Sequence, residues 1–202
     1  MNEIKVIGIT GNMGSGKSTA SNYIESKSYK VLYSDNIAKE LLESNSDIKA
    51  KITNAFGNMA YINGVYNTKF ISECVFGNDK NKKDNLEKLN LIIHPAVIEE
   101  LINQIEINAN NGLEIIFVES ALIFELGLNE GFDYVINIYS NDNISIERIT
   151  KRNNISAEEA AQRLKTQLSA EEKRKLADFT IINESTLEDL YKSIDRVLLY
   201  IL

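Results

Sequence analysis

Cysteine, histidine and proline each occur once in this chain of 202 residues, and basic residues are outnumbered by acidic ones. The single cysteine, Cys74, excludes an intrachain disulfide and points to a reducing, cytoplasmic setting. A small core position suits it better than a reactive role. The single histidine, His94, excludes a histidine-based metal cage within one chain. Lys and Arg number 22 against 29 Asp and Glu, a net charge of −7. Non-specific nucleic-acid binding rests on the opposite imbalance, so no nucleic-acid partner is expected. No apolar run approaches the ~18 residues of a membrane-spanning helix. The run Val6–Ile9 is too short for a secretory signal, so neither a membrane nor an export route is expected.

What is present is ordinary for a globular chain: 44% hydrophobic and 25% charged residues. Its length suits one domain with a subdomain. Short apolar runs at 4–10, 29–33, 115–118, 134–139 and 179–182 read as strands. Helical spacing follows most of them. Ser156, Ser169 and Ser185 each stand three residues before a Glu, the capping-box spacing, and predict three helix starts. The last helix should bury Leu187, Leu190, Tyr191, Ile194, Leu198 and Ile201. Residues 46–111 read as mostly helical, with Pro95 in the first turn of a helix. The alternation predicts a three-layer α/β fold: a parallel sheet of about five strands with helices on its faces. The expected division is a core of 1–45, 112–147 and 176–202, a helical lobe of 46–111 and a lid of 148–175.

Between the first strand and a helical pattern stands Gly11-Asn12-Met13-Gly14-Ser15-Gly16-Lys17-Ser18-Thr19, a complete Walker A motif. Its glycines let backbone N–H groups point inward at a phosphate, and the following helix adds its positive end. Lys17 is expected to reach the β- and γ-phosphates, and the Ser18 hydroxyl to sit on Mg²⁺. Asn81-Lys82-Lys83-Asp84 spells the guanine-reading pattern, but no strand precedes it at Phe76-Gly77-Asn78-Asp79 and no Asp-x-x-Gly occurs. It reads as a solvated polar turn.

Asp35 closes the second strand, and ligands of open α/β sheets gather at the carboxyl ends of strands. It is either a base or Mg²⁺ group, or an N-cap for the helix of Ile37. Glu119 ends the third strand. It is either a Walker B carboxylate or a solvent-facing strand end. Arg148 and Arg152 share one helix face, and Arg163 and Gln167 repeat that spacing on the next helix. Together they suit a lid that supplies positive charge to a transferred phosphoryl group; singly they suit surface ion pairs. His94 is either a substrate contact or a cap for the helix before Pro95.

These residues together resemble the dephospho-CoA kinase family almost end to end. Residues 10–19 are similar to its opening Thr-Gly-Gly-x-Gly-Ser-Gly-Lys-Ser, and Ser34-Asp35-Asn36-Ile37-Ala38 to its Asp-Ala-Asp-x-Ile-Ala segment. Ile93-His94-Pro95 is similar to its Leu-His-Pro turn, and Ala121-Leu122-Ile123-Phe124-Glu125 to its Pro-Leu-Leu-Phe-Glu. The arginine series with Gln167, and Ala177-Asp178 through Asn183, resemble its lid and last strand. Asn12, Ser34 and Ala121 depart from the pattern, and none removes a chemical group.

The resemblance implies a P-loop kinase that transfers a phosphoryl group from ATP to the ribose 3′-hydroxyl of dephospho-CoA, with Mg²⁺. It implies Asp35 as the base, and Lys17, Arg148 and Arg152 as charge stabilisers. Asn183 should lie near the adenine, His94, Leu122 and Glu125 near the acceptor, and Arg152, Arg163 and Gln167 in the lid. The Mg²⁺ ion would rest on Ser18, with Asp35 or Glu119 through water. A monomer or weak homo-oligomer is expected. Two other readings remain: a kinase of the same fold acting on a nucleoside monophosphate or sugar, and a nucleotide-binding regulatory module. Residues 148–175 carry eight Lys/Arg and four Asp/Glu, so the expected lid is positive within an acidic chain.

Overall fold

The apolar run after Ile4 forms β1 (Lys5–Thr10) in the computed structural model, which describes residues 4–77 and 79–202. The Walker A loop leads into α1 (Lys17–Ser26), and β2 (Lys30–Tyr33) follows. The chain then builds α2 (Ser34–Ser44), α3 (Ser46–Phe56), a hairpin of β3 (Tyr61–Ile62) and β4 (Val65–Tyr66), α4 (Thr68–Val75) and α5 (Lys80–Asn110). It continues with β5 (Ile115–Glu119), β6 (Tyr134–Tyr139), α6 (Asp142–Asn153), α7 (Ala157–Leu164), α8 (Ala170–Leu176), β7 (Phe179–Ile182) and α9 (Leu187–Ile201). These elements form two compact units. One runs to Tyr33 and resumes over Asn108–Leu202; the other is Ser34–Ile107.

The first unit is built on a five-stranded sheet in the order β2-β5-β1-β6-β7, with every pairing parallel. Parallel neighbours need long crossovers, which explains the helices between them. The middle strands are buried on both faces and therefore read as continuous apolar runs. Ile7, Ile9, Phe117, Ile136 and Ile138 are buried there, packed with Ala20 and Ile24 of α1 and with Leu190, Ile194, Leu198 and Ile201 of α9. Each such aliphatic side chain contributes roughly 1.5–3 kcal/mol by leaving water. Tyr23 and Tyr191 stack between α1 and α9 with ring centroids 3.9 Å apart. Leu187 departs from the expected inner face and is exposed. The α9 cap also lies one residue beyond the expected Ser185: Thr186 and Asp189 form the reciprocal box. Ser169 and Glu172 form the box that opens α8.

The second unit has its own core of Ile48, Ile52, Ala60, Ile71, Val75 and Leu89, with Cys74 packed partly buried against it. Three local expectations fail here. Residues 61–66 form a hairpin, because Asn63 and Gly64 both take positive φ and close a tight turn. Pro95 does not open a helix but lies inside α5, which runs unbroken for 31 residues. Proline forfeits one bond, to the carbonyl four residues earlier. That residue, Leu91, is 70% exposed, so water can take the freed carbonyl. Asn81-Lys82-Lys83-Asp84 also lies within α5 rather than in a turn. Of the residues before it, Asn78 lies outside the described residues. Among the described residues no helix is long and apolar enough to cross a membrane.

Candidate active site

β1 is the central strand; the chain builds β2 and β5 on one side of it and then crosses to β6 and β7 on the other. Ligands of open α/β folds bind at such a switch point, beyond the carboxyl ends of the strands. Residues 11–16 occupy this place. Gly11 has φ +144°, and a Cβ there would stand 2.3 Å from the Ile138 carbonyl oxygen. Gly16 precedes α1 with φ +97°, and a Cβ there would meet the Asn183 side-chain nitrogen at 2.2 Å. Only glycine fits at either position. No side chain caps the start of α1. Its first N–H groups and its dipole therefore suit an anion. Ser18 and Thr19 are exposed in its first turn. The Lys17 ammonium lies 3.5 Å from the Asn12 carbonyl oxygen of the same loop.

Distant parts of the first unit close on this loop. The Asn183 amide donates to the Ser15 carbonyl oxygen at 2.7 Å. The Arg148 guanidinium donates to the Gly14 carbonyl at 3.4 Å and the Asn183 carbonyl at 3.1 Å. The Met13 N–H donates to Gln167 Oε1 at 2.9 Å, and the Asn12 amide to the Leu168 carbonyl at 2.9 Å. The Met13 side chain packs against Ile149, Ala160 and Leu164. Gln167 does not continue the α7 spacing from Arg163, since α7 ends at Leu164 and Gln167 stands in the turn beyond it. That turn is what lets it face the loop.

The two arginines of α6 have different surroundings. Arg148 is half-buried, whereas Arg152 is exposed and donates to Asn153 Oδ1 at 3.1 Å. Arg163 pairs with Glu159 at 3.0 Å, Lys151 with Glu147, and Arg174 with Glu171. Part of the positive charge of 148–175 is thus neutralised locally.

Glu119 is buried at the carboxyl end of β5, in register with Ile9 and Tyr33. The solvent-facing reading therefore fails. The Tyr33 hydroxyl, which donates to Glu25 at 2.7 Å, is pushed far above its ordinary pKa by burial, by Glu25 and by the charge of Glu119. Among the described residues no three His, Cys, Asp or Glu gather as a metal cage. Ser18 and Glu119 nevertheless offer the few oxygen donors that suit a hard cation carried mainly by phosphates and water.

Leu122 is half-buried in the turn at 121–127. Glu125 in that turn accepts from the Leu168 N–H at 3.0 Å and pairs with Lys173 at 2.7 Å. Lys173 is wholly buried and was missed by sequence reasoning. Within the charged run Ala170-Glu171-Glu172-Lys173-Arg174-Lys175 nothing marks one lysine as internal.

Asp35 and His94 belong to the second unit. Asp35 is exposed in the first turn of α2, which already begins at Ser34, so it neither closes β2 nor caps the helix. A carboxylate there still favours the helix dipole. His94 lies inside α5, so it caps no helix end. Burial holds its imidazole below the usual histidine pKa.

Comparison with known proteins matches residues 5–189 to the dephospho-CoA kinase family model. A dephospho-CoA kinase of Fusobacterium nucleatum subsp. nucleatum is 39% identical over 194 residues, 96% of each chain. Among solved structures, a Thermus thermophilus protein superposes with a TM-score of 0.81 at 28% identity, covering 99% of both chains. A dephospho-CoA kinase from Campylobacter jejuni superposes at 0.65 with 29% identity, over 98% of this chain and 97% of that one.

Proposed function

The chain belongs to the dephospho-CoA kinase family, and from its site we infer ATP-dependent phosphorylation of dephospho-CoA to coenzyme A, the closing step of coenzyme A synthesis. The observation that carries this reading beyond the family match is the convergence of Asn183, Arg148 and Gln167 on the loop of residues 11–16. A kinase of this kind performs little covalent chemistry of its own. It positions donor and acceptor and stabilises charge that spreads over the transferred group.

In this reading the N–H groups of residues 11–19 cradle the ATP phosphates, and Lys17 turns from its own loop to the β- and γ-oxygens. Arg148 and Asn183 stand beside the nucleotide, with Arg152 and Arg163 carried on the lid. Asp35 takes the proton of the ribose 3′-hydroxyl as it attacks the γ-phosphorus. The products are then a 3′-phosphate, ADP and a proton. His94, Leu122 and Glu125 line the acceptor side. Ser18 would hold Mg²⁺, with Glu119 or Asp35 reaching it through water, and that ion would neutralise charge between the β- and γ-oxygens. Residues 148–175 act as a lid that excludes water, the competing acceptor. A cytoplasmic monomer or weak homo-oligomer completes the proposal.

The test is ADP release from ATP in the presence of dephospho-CoA, AMP, UMP or a sugar, or with no acceptor. Turnover with dephospho-CoA alone is the expected result. Acceptor-independent hydrolysis, or preference for another acceptor, overturns it.

A further inference from the structure

We infer that Lys173 and Glu125 are positioning residues for the nucleotide loop, acting through a continuous clasp that ends on Asn12 and Met13. The inference rests on the kinase reading, because it concerns how that kinase holds ATP.

The clasp can be followed atom by atom. The Lys173 side chain is 0% exposed, and its ammonium donates to the Ala121 carbonyl and pairs with Glu125 Oε1 at 2.7 Å. The same carboxylate oxygen accepts from the Leu168 N–H at 3.0 Å. The Leu168 carbonyl in turn accepts from the Asn12 amide, and the neighbouring Gln167 side chain accepts from the Met13 N–H, both at 2.9 Å. A buried cation is thus joined to the tip of the loop with no gap.

A buried ammonium is costly, and burial does lower the pKa of Lys173 against the opposing pull of Glu125. An apolar side chain of similar volume would fill the space at no such cost. What an apolar side chain could not do is hold a carboxylate. The held carboxylate fixes Leu168, in the 165–169 stretch between α7 and α8, which is not helical. That stretch needs an outside anchor before it can anchor anything else. Loop N–H groups aimed at phosphate gain most from being held in place beforehand. Asn12 stands where the family's opening pattern has glycine, and a glycine could not supply the amide rung. The clasp in this form therefore belongs to chains that carry a side chain at this position.

The test compares Lys173→Met, Glu125→Gln, Asn12→Gly and Gln167→Ala with wild type. It measures thermal stability, steady-state kinetics with ATP and dephospho-CoA, and equilibrium binding of ATP without acceptor. Each variant should raise the KM and Kd for ATP about 10-fold, short of the ~10²-fold that 1 Å of misplacement can cost. The KM for dephospho-CoA should move much less in Lys173→Met, Asn12→Gly and Gln167→Ala, whereas Glu125→Gln, which also alters the acceptor side, should raise both. If Lys173→Met lowers only the melting temperature, with kinetics per folded molecule as in wild type, its role is structural and the inference fails. If Lys173→Met does not fold, Asn12→Gly and Gln167→Ala decide alone, since they trim only side chains at the loop. Wild-type ATP affinity in both overturns the clasp. Failure of the wild type to phosphorylate dephospho-CoA would instead overturn the kinase reading, and the ATP-binding series would still judge the clasp.

Discussion

The side-chain amide of Asn183 donates to the carbonyl oxygen of Ser15 at 2.7 Å, joining positions 168 residues apart. The end of the last strand thereby holds the loop that follows the first. Both residues are buried, and the close approach is possible because Gly16 has no Cβ to obstruct it.

Asn183→Ala removes the donor and leaves the Ser15 carbonyl without a partner in a place water reaches poorly. Such an orphaned group costs about 1–3 kcal/mol. Urea unfolding should show a loss of that size, and an ATP titration should show weaker binding. Asn183→Asp should be worse than alanine, because it sets a carboxylate against a carbonyl oxygen.

Asp35→Asn keeps the size of the side chain and its place in the first turn of α2 but abolishes its basicity. If Asp35 is the general base, kcat with dephospho-CoA should fall by roughly 10²–10⁴. The KM for ATP should be nearly unchanged. Steady-state kinetics with each substrate varied in turn checks both. A near-normal kcat would move the proton acceptor elsewhere.

Arg148 and Arg152 should separate in a kinetic test, because their surroundings already separate them. Arg148 donates to the Gly14 carbonyl of the loop and to the Asn183 carbonyl beside it, so Arg148→Ala should lower thermal stability and raise the KM for ATP. Arg152 is exposed, so Arg152→Ala should leave stability unchanged. If Arg152 supplies charge to the transferred group, its loss should appear in kcat, by up to the ~10³-fold of a weak arginine finger. Melting curves beside full kinetics for the two variants distinguish the roles.

His94 should make folding sensitive to mild acid. Burial lowers its folded pKa below the unfolded value of about 6.5, so the unfolded chain binds the proton more readily. The contribution of His94 to stability is therefore complete above that value and is lost as pH falls through the window down to the folded pKa. Urea midpoints should be flat above about pH 6.5 and decline below it. His94→Gln should flatten that part of the curve. A wild-type midpoint independent of pH would contradict the assignment.

The strands at 5–10, 115–119 and 134–139 were legible because both faces of the inner parallel strands are buried, which forces continuous apolar runs. The Walker A loop was legible because phosphate binding constrains backbone shape, and glycine records that constraint in the sequence. Where local signals competed, the reading slipped. Pro95 looked like a helix start, yet α5 passes through it, since side-chain packing around Leu89 outweighs one lost bond. The Asn63-Gly64 turn was a usable signal that the surrounding helical pattern concealed.

By itself, the sequence determined the sheet class, the loop that meets phosphate and the order of motifs that marks the family. These depend on residue type and on spacing along a short stretch of chain. Only the tertiary structure decided which groups face one another across long separations. It buried Glu119, put Gln167 in a turn facing Met13, and gave Arg148 and Arg152 different surroundings despite their shared spacing. It also turned Lys173, one charge among many in its run, into the buried partner of Glu125. The physical reason is that burial and hydrogen-bond partners are properties of packed neighbours. Sequence spacing specifies such neighbours only within a helix turn or a strand.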